Sequence, residues 1–185
     1  ELKNNDFHTT KALWDFFRNY TNKCDEKKKQ DIDKSACEEA AKKNIYEVEC
    51  SSDYSGTTES LSKMSGTGVI NLKETTDYVN INIPITEKGS YKVYVGYNSV
   101  YGFKQINCSV NGVSGTANLG LSSDDERVDK LAETLVGSFD FSEGENEIRL
   151  TPIWTWAVVD YVRIEKDENA YEYEFEVSDV DGFKV

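Results

Sequence analysis

Tyr78-Val79-Asn80-Ile81-Asn82-Ile83-Pro84-Ile85 carries an aliphatic side chain at every second position from Val79 to Ile85, with asparagine or proline between. Successive side chains of an extended chain leave opposite faces, so a period of two marks a strand with one face in a core and the other towards water. The same period returns in residues 46–50, 91–97, 105–110, 135–141, 145–150 and 158–165, in quick succession and separated by Gly, Asn, Ser or Asp. Asn111-Gly112 and Glu143-Gly144 supply turn chemistry between such runs. Many short alternating strands without helices between them predict an all-β fold, a jelly-roll β-sandwich.

Before Ile45 the pattern is different. Leu13, Phe16, Phe17 and Tyr20 recur at helical spacing after the capping candidates Thr9 and Thr10, and a second helix is predicted over 34–43, with Ala36, Cys37, Ala40 and Ala41 on one side. Ser35-x-x-Glu38 has the form of a capping box. The lysine-rich stretch from Asp25 to Gln30 reads as a solvated turn between them, and a Cys24–Cys37 bridge would close this N-terminal α-helical hairpin. Charge divides at the same place: residues 1–45 hold 10 basic and 9 acidic side chains, leaving 11 basic and 25 acidic beyond them. The expected organisation is a hairpin or linker over 1–43, a sandwich over 44–166 and an acidic extension over 167–185. In that extension Tyr171-Glu-Tyr-Glu-Phe-Glu-Val177 alternates well enough to add an edge strand whose charges discourage further pairing.

The 34 acidic against 21 basic residues repel phosphate backbones and anionic lipid, so neither nucleic acid nor membrane is an expected partner. No long apolar run and no charged segment followed by an apolar one opens the chain, so neither a transmembrane helix nor a signal peptide is expected. Cys24, Cys37, Cys50 and Cys108 lack C-x-x-C spacing, which disfavours structural zinc. Their even number, with the acceptor patterns Asn19-Tyr20-Thr21 and Asn107-Cys108-Ser109, leans towards an oxidising, extracellular setting and a secreted protein. The single histidine, His8, lies in the helical segment, so no Ser-His-Asp or Cys-His arrangement can form within the β region.

Within 45–165 the order of motifs resembles carbohydrate-binding module family 35 and its relative, family 6. Tyr46-Glu47-Val48-Glu49 resembles the opening Y-E-A-E strand, and Ser65-Gly66-Thr67-Gly68-Val69 the S-G-x-G-Y segment. Lys88-Gly89-Ser90-Tyr91 is similar to A-G-x-Y, Val110-Asn111-Gly112 to the V-N-G turn, and Gly144-Glu145-Asn146-Glu147-Ile148-Arg149-Leu150 to G-x-N-x-I-x-L. Val159-Asp160-Tyr161-Val162 resembles the closing I-D-Y-I, and Trp154-Thr155-Trp156 before it is similar to the mannan-binding branch. Departures fall at Gly96, where the family often carries arginine, at Val69, where an aromatic is usual, and at Val158, where asparagine is usual. A guanidinium is the natural clamp for a sugar carboxylate, so Gly96 points to a neutral glycan rather than a uronate.

Glu47 and Glu49 are two apart on a predicted strand and so share a face, where they repel unless a cation sits between them. Exposed strand charges are the plainer reading of that pattern; the resemblance implies instead a structural calcium ion, with Asp160 as a third ligand. Trp154 and Trp156, also two apart, offer flat apolar surface for the C–H face of a sugar, against the alternative that they are core residues. The stretch 97–104 adds Tyr101 and Phe103 as groove walls and Asn98 and Lys104 as hydrogen-bonding groups; Tyr97 is either a further wall or core packing. The resemblance thus implies a monomeric, non-catalytic binding module holding a linked glycoside hydrolase on plant cell-wall polysaccharide, β-mannan or galactomannan first. Two other functions are weighed. One is a protein-interaction module that uses the N-terminal helices with the sandwich as scaffold; the other is a small glycoside hydrolase, which needs only two carboxylates.

Overall fold

The computed structural model describes residues 34–120 and 127–170. In chain order these form helix α1 (Lys34–Ala41), then strands β1 (Ile45–Glu47), β2 (Asp53–Tyr54), β3 (Thr57–Glu59), β4 (Val69–Leu72) and β5 (Val79–Ile85). β6 (Gly89–Asn98), β7 (Lys104–Val110), β8 (Val113–Leu119), β9 (Leu131–Phe141), β10 (Gly144–Pro152) and β11 (Ala157–Lys166) follow. They pair antiparallel into two sheets. One has the order β3-β4-β11-β6-β9, with β1 also on β11; the other has the order β2-β5-β10-β7-β8.

The period of two becomes the core. Val79, Ile81, Ile83 and Ile85 of β5, Ile106, Cys108 and Val110 of β7, and Ile148 and Leu150 of β10 point into one apolar layer. Val93, Val95 and Tyr97 of β6, Phe139 and Phe141 of β9, and Val159, Val162 and Ile164 of β11 meet them from the other sheet. Full burial of one such side chain contributes about 1.5–3 kcal/mol, which is why the alternation sets the register. Asn111 and Gly112, at φ 49° and 86°, make the two-residue hairpin between β7 and β8. Buried Asn146 ties that turn to the next: its Oδ1 accepts from Asn111 Nδ2 (2.7 Å) and from the Ser142 N–H (3.0 Å).

The predicted sandwich is therefore present, with several corrections in detail. The strand expected over 46–50 stops at Glu47, and Val48–Cys50 curls into a 3-10 turn that closes through Ser51 N–H to Val48 O at 3.1 Å. Its last residue, Cys50, is bonded to Cys37 of α1, so the Cys24–Cys37 bridge expected for the hairpin does not form. Cys108 is a free, buried thiol. Strands β2, β3, β4 and β8 were not expected from the sequence. Of the helical hairpin, only the second helix falls within the described residues; the first, with Cys24, and the acidic stretch 171–177 lie outside them. Among the described residues no helix is long and apolar enough to cross a membrane.

Candidate functional site

The ladders bring three connections to one end of the sandwich. Leu72 pairs with Ala157, Ile106 with Pro152 and Asn98 with Val158, so residues 73–78, 99–103 and 153–156 all leave their strands on the same side. The 153–156 loop is bent over β7 because the N–H groups of Ile153 and Trp154 both donate to Gln105 O, at 2.9 and 3.0 Å. That bend leaves Trp154 49% and Trp156 44% exposed. Each indole is braced by one aromatic of the neighbouring loop. Phe103 meets Trp154 edge-on at 5.3 Å, and Tyr101 meets Trp156 at 5.2 Å.

Large apolar side chains normally bury, so two half-exposed tryptophans in one loop need a reason. A pyranose supplies one: its C–H face covers indole surface while its hydroxyls reach polar groups around the rim. Half-buried Lys104 opens β7 and is paired with Leu119 of β8 next to this end. Lys73, which the sequence did not single out, places its Nζ 5.2 Å from the centroid of the Trp156 ring.

Two of the expected contact residues are not available to a ligand. Tyr97 is 7% exposed and belongs to the core, because it continues the inward face of Val93 and Val95. Asn98 is 4% exposed with its amide fully engaged. Its Nδ2 donates to Lys63 O at 2.7 Å and to Asp129 Oδ1 at 2.6 Å, and its Oδ1 accepts from the Val100 N–H at 2.9 Å. Asn98 thus ties the aromatic loop to two other segments and touches no surface. At Gly96 the space for a side chain is filled by the Tyr161 ring, whose Cζ would lie 2.6 Å from an added Cβ. A side chain on this strand at position 96 would need the Tyr161 ring to move.

A second constellation lies beneath the segment 65–68. Glu47, Glu49 and Asp160 are all buried. The backbone carries them there by two devices: the 3-10 turn swings Glu49 round, and a β-bulge between Val159 and Tyr161 releases Asp160 from strict alternation. Each carboxylate has one oxygen satisfied by the 65–68 segment. Ser65 N–H donates to Asp160 Oδ2 at 2.8 Å and Ser65 Oγ to Glu47 Oε1 at 2.6 Å. Thr67 and Gly68 N–H donate to Glu49 Oε1 at 2.7 and 3.1 Å. The other three oxygens, Glu47 Oε2, Glu49 Oε2 and Asp160 Oδ1, are buried without a partner.

Burial is the first cause that raises the Glu47 carboxyl above its ordinary range, and Glu49 adds repulsion. Asp160 is pushed up to about 7, by burial first and then by Glu47 and Glu49, against the lowering effect of the Ser65 N–H. Three bare, mutually repelling carboxylate oxygens in a buried site are the donor chemistry that a hard divalent cation satisfies. As they stand, these side chains do not form a closed cage: no grouping of three or more His, Cys, Asp or Glu at coordination spacing exists among the described residues. The donor types fit the ion.

Comparison with curated proteins gives no match. Among solved structures, a β-(1,4)-mannanase of Podospora anserina described as GH26-CBM35 is similar at 20% identity and a TM-score of 0.59, covering 66% of this chain and 27% of that one. An exo-β-1,3-galactanase of Phanerochaete chrysosporium with β-1,3-galactotriose is similar at 22% and 0.55, covering 66% and 29%. The match therefore spans under a third of either enzyme. A family 35 carbohydrate-binding module of Clostridium thermocellum matches at 22% and 0.56, over 66% of this chain and 97% of that one. The family model for carbohydrate-binding module family 35 matches residues 44–167, about two thirds of the chain, and with it this chain belongs to that family of non-catalytic modules.

Proposed function

We propose that the chain binds β-mannan or galactomannan of plant cell walls through Trp154 and Trp156, and holds a linked glycoside hydrolase on that surface. The exposed indole pair, each ring braced by an aromatic of the next loop, carries this reading. Glycine in place of a guanidinium at position 96 adds to it by favouring an uncharged sugar. The likeness to an enzyme named as a β-(1,4)-mannanase with a family 35 module supports mannan; the likeness to a galactanase makes β-galactan the first competitor. Tethering adds no chemistry of its own and acts by raising the effective concentration of a linked catalytic domain at an insoluble surface.

Calcium at Glu47, Glu49 and Asp160 is the structural part of this proposal. It would draw the opening strand, the 65–68 segment and the closing strand together, and it would supply charge where three oxygens have no partner. A secreted, extracellular location is supported by the Cys37–Cys50 disulfide.

Affinity electrophoresis against mannan, galactomannan, β-1,3-galactan, xylan and polygalacturonate tests the reading. Retardation by a mannan that falls about tenfold in Trp154→Ala is the expected result. Retardation by polygalacturonate alone, or by none of these polymers, overturns it.

A further inference from the structure

We propose that Lys73 and Glu59 are a positioning pair for Trp156, so that strands β3 and β4 fix the ligand-facing pose of that indole. The inference rests on the reading of the two tryptophans as a sugar platform and adds residues that the platform does not itself contain.

Trp156 has a backbone φ of 65°, in the left-handed region that a bulky residue adopts only where surrounding contacts hold it. Its loop alone offers little to do so, because residues 153–156 form bends between β10 and β11 rather than a ladder. The restraint comes from across the sheet. Leu72 of β4 is the partner of Ala157, so the next residues outward, Lys73 and Trp156, leave the ladder opposite each other. Lys73 Nζ lies 5.2 Å from the indole centroid, within the reach at which an ammonium is attracted to an aromatic face.

Lys73 is held at both ends. Its N–H donates to Asp77 Oδ2 at 2.8 Å, within a turn that the Glu74 N–H shares by donating to the same oxygen at 3.0 Å. Its Nζ lies 3.0 Å from Glu59 Oε1, and Glu59 is anchored in turn by Asn71 Nδ2 at 3.1 Å. Both side chains of the pair are largely shielded from water, at 29% and 20% exposure, which makes the contact less open to screening than a surface pair. Tyr101 closes on Trp156 from the 99–103 loop. Glu59 also balances the charge of Lys73, so the platform gains a brace without becoming a cation site. That property suits a neutral polysaccharide.

The test uses Lys73→Met, Lys73→Arg and Glu59→Gln in the full chain. Binding is read by affinity electrophoresis on galactomannan, and the pose by acrylamide quenching of Trp156 in a Trp14→Phe, Trp154→Phe background. K73M is expected to weaken retardation about 3–10-fold and to raise quenching well below the melting transition, with K73R restoring both. E59Q should move both readouts in the direction of K73M. Unchanged quenching in K73M overturns the positioning role; a loss of melting temperature without a change in quenching would assign Lys73 to stability alone and overturns it too. Should the parent chain bind none of the polymers, the platform reading fails, while the quenching comparison still decides the role of Lys73.

Discussion

Gly66 and Glu49 interlock: a Cβ at Gly66 would collide with Glu49 Oε1 and stand 3.2 Å from the carboxyl carbon of Glu47. With φ at +56°, the same residue holds a backbone conformation that side chains disfavour. Gly66 therefore permits the 65–68 segment to lie directly on the buried carboxylates.

Gly66→Ala is expected to lift that segment and release the amides of Ser65, Thr67 and Gly68 from their carboxylate partners. Left-handed strain and the collision together should cost about 2–4 kcal/mol. Thermal melting with and without added calcium checks this. A G66A variant that melts with the parent and gains as much from calcium would show that the segment does not need this close approach.

The acid response of the metal-free protein follows from Asp160. Its folded value of about 7 stands above the ordinary 3.8, with burial the first cause. Between about pH 4 and pH 7 the folded chain then holds a proton that the unfolded chain has released. Stability from this group is therefore present at low pH and is lost as the pH rises through that window; Glu47, also raised, acts in the same sense. Groups held low, such as Asp129 and Glu133, work in the opposite direction at lower pH, so the comparison must be made against Asp160→Asn. In chelator, the melting temperature of the parent should fall relative to D160N from pH 4 to 7, and calcium should reverse that fall. A parent whose difference from D160N is flat across the window would contradict a buried carboxylate with one unpartnered oxygen.

Seven of the eleven strands among the described residues were legible in the sequence, and their ends much less so. β5, β7 and β10 alternate cleanly because one face is core and the other is wet. β4 escaped notice because all four of its residues are buried, so polarity does not alternate along it. β8 is broken by Ser114, Gly115 and Thr116, of which only Gly115 is half-buried. Glu47 and Glu49 come beneath the 65–68 segment through a 3-10 turn and not through the strand parity expected of them. Tyr97 could have been assigned from its own parity with Val93 and Val95. The buried role of Asn98 could not, because its partners Asp129 and Lys63 are 31 and 35 residues away. Lys73 was hidden for the same reason as β4, whose register alone sets it opposite Trp156.

Asn98→Ala separates positioning from contact. The substitution leaves Lys63 O, Asp129 Oδ1 and the Val100 N–H without the amide that now joins them. Loss of a saturated buried amide should cost about 1–3 kcal/mol, visible as a lower denaturant midpoint. Sugar affinity should fall because the 99–103 loop loosens, and a high concentration of ligand should recover part of the lost stability. A variant with parent stability and strongly reduced affinity would return Asn98 to the surface as a direct contact.

The disulfide anchors the 3-10 turn that carries Glu49. Cys37 and Cys50 are 13 residues apart, a loop whose closure contributes about 3 kcal/mol. Reduction, or Cys37→Ser, should therefore lower the melting temperature and weaken calcium stabilisation together. Cys108 should not react under the same conditions: burial pushes its thiol up to about 12, and the thiolate is the reactive form. Thiol titration of a Cys24→Ser chain in non-denaturing buffer checks this. Labelling of Cys108 before unfolding would contradict the packing of β7.

Gly96 tests whether the ligand class can be switched by restoring the family's arginine. The position is on β6 opposite Tyr161, whose ring occupies the space directly above it. Tyr161 is in turn tied to Glu133, which Arg163 engages with two hydrogen bonds at 2.7 and 2.9 Å. Gly96→Arg must displace that ring and disturb the Glu133–Arg163 pair, so a loss of about 1–3 kcal/mol is expected without any gain in binding to polygalacturonate. Gly96→Arg combined with Tyr161→Ala clears the ring and isolates the guanidinium. If the double variant also fails to bind the uronate while keeping its mannan affinity, the neutral preference belongs to the tryptophan platform and not to the missing arginine; if it binds, Tyr161 is the residue that excludes acidic sugars.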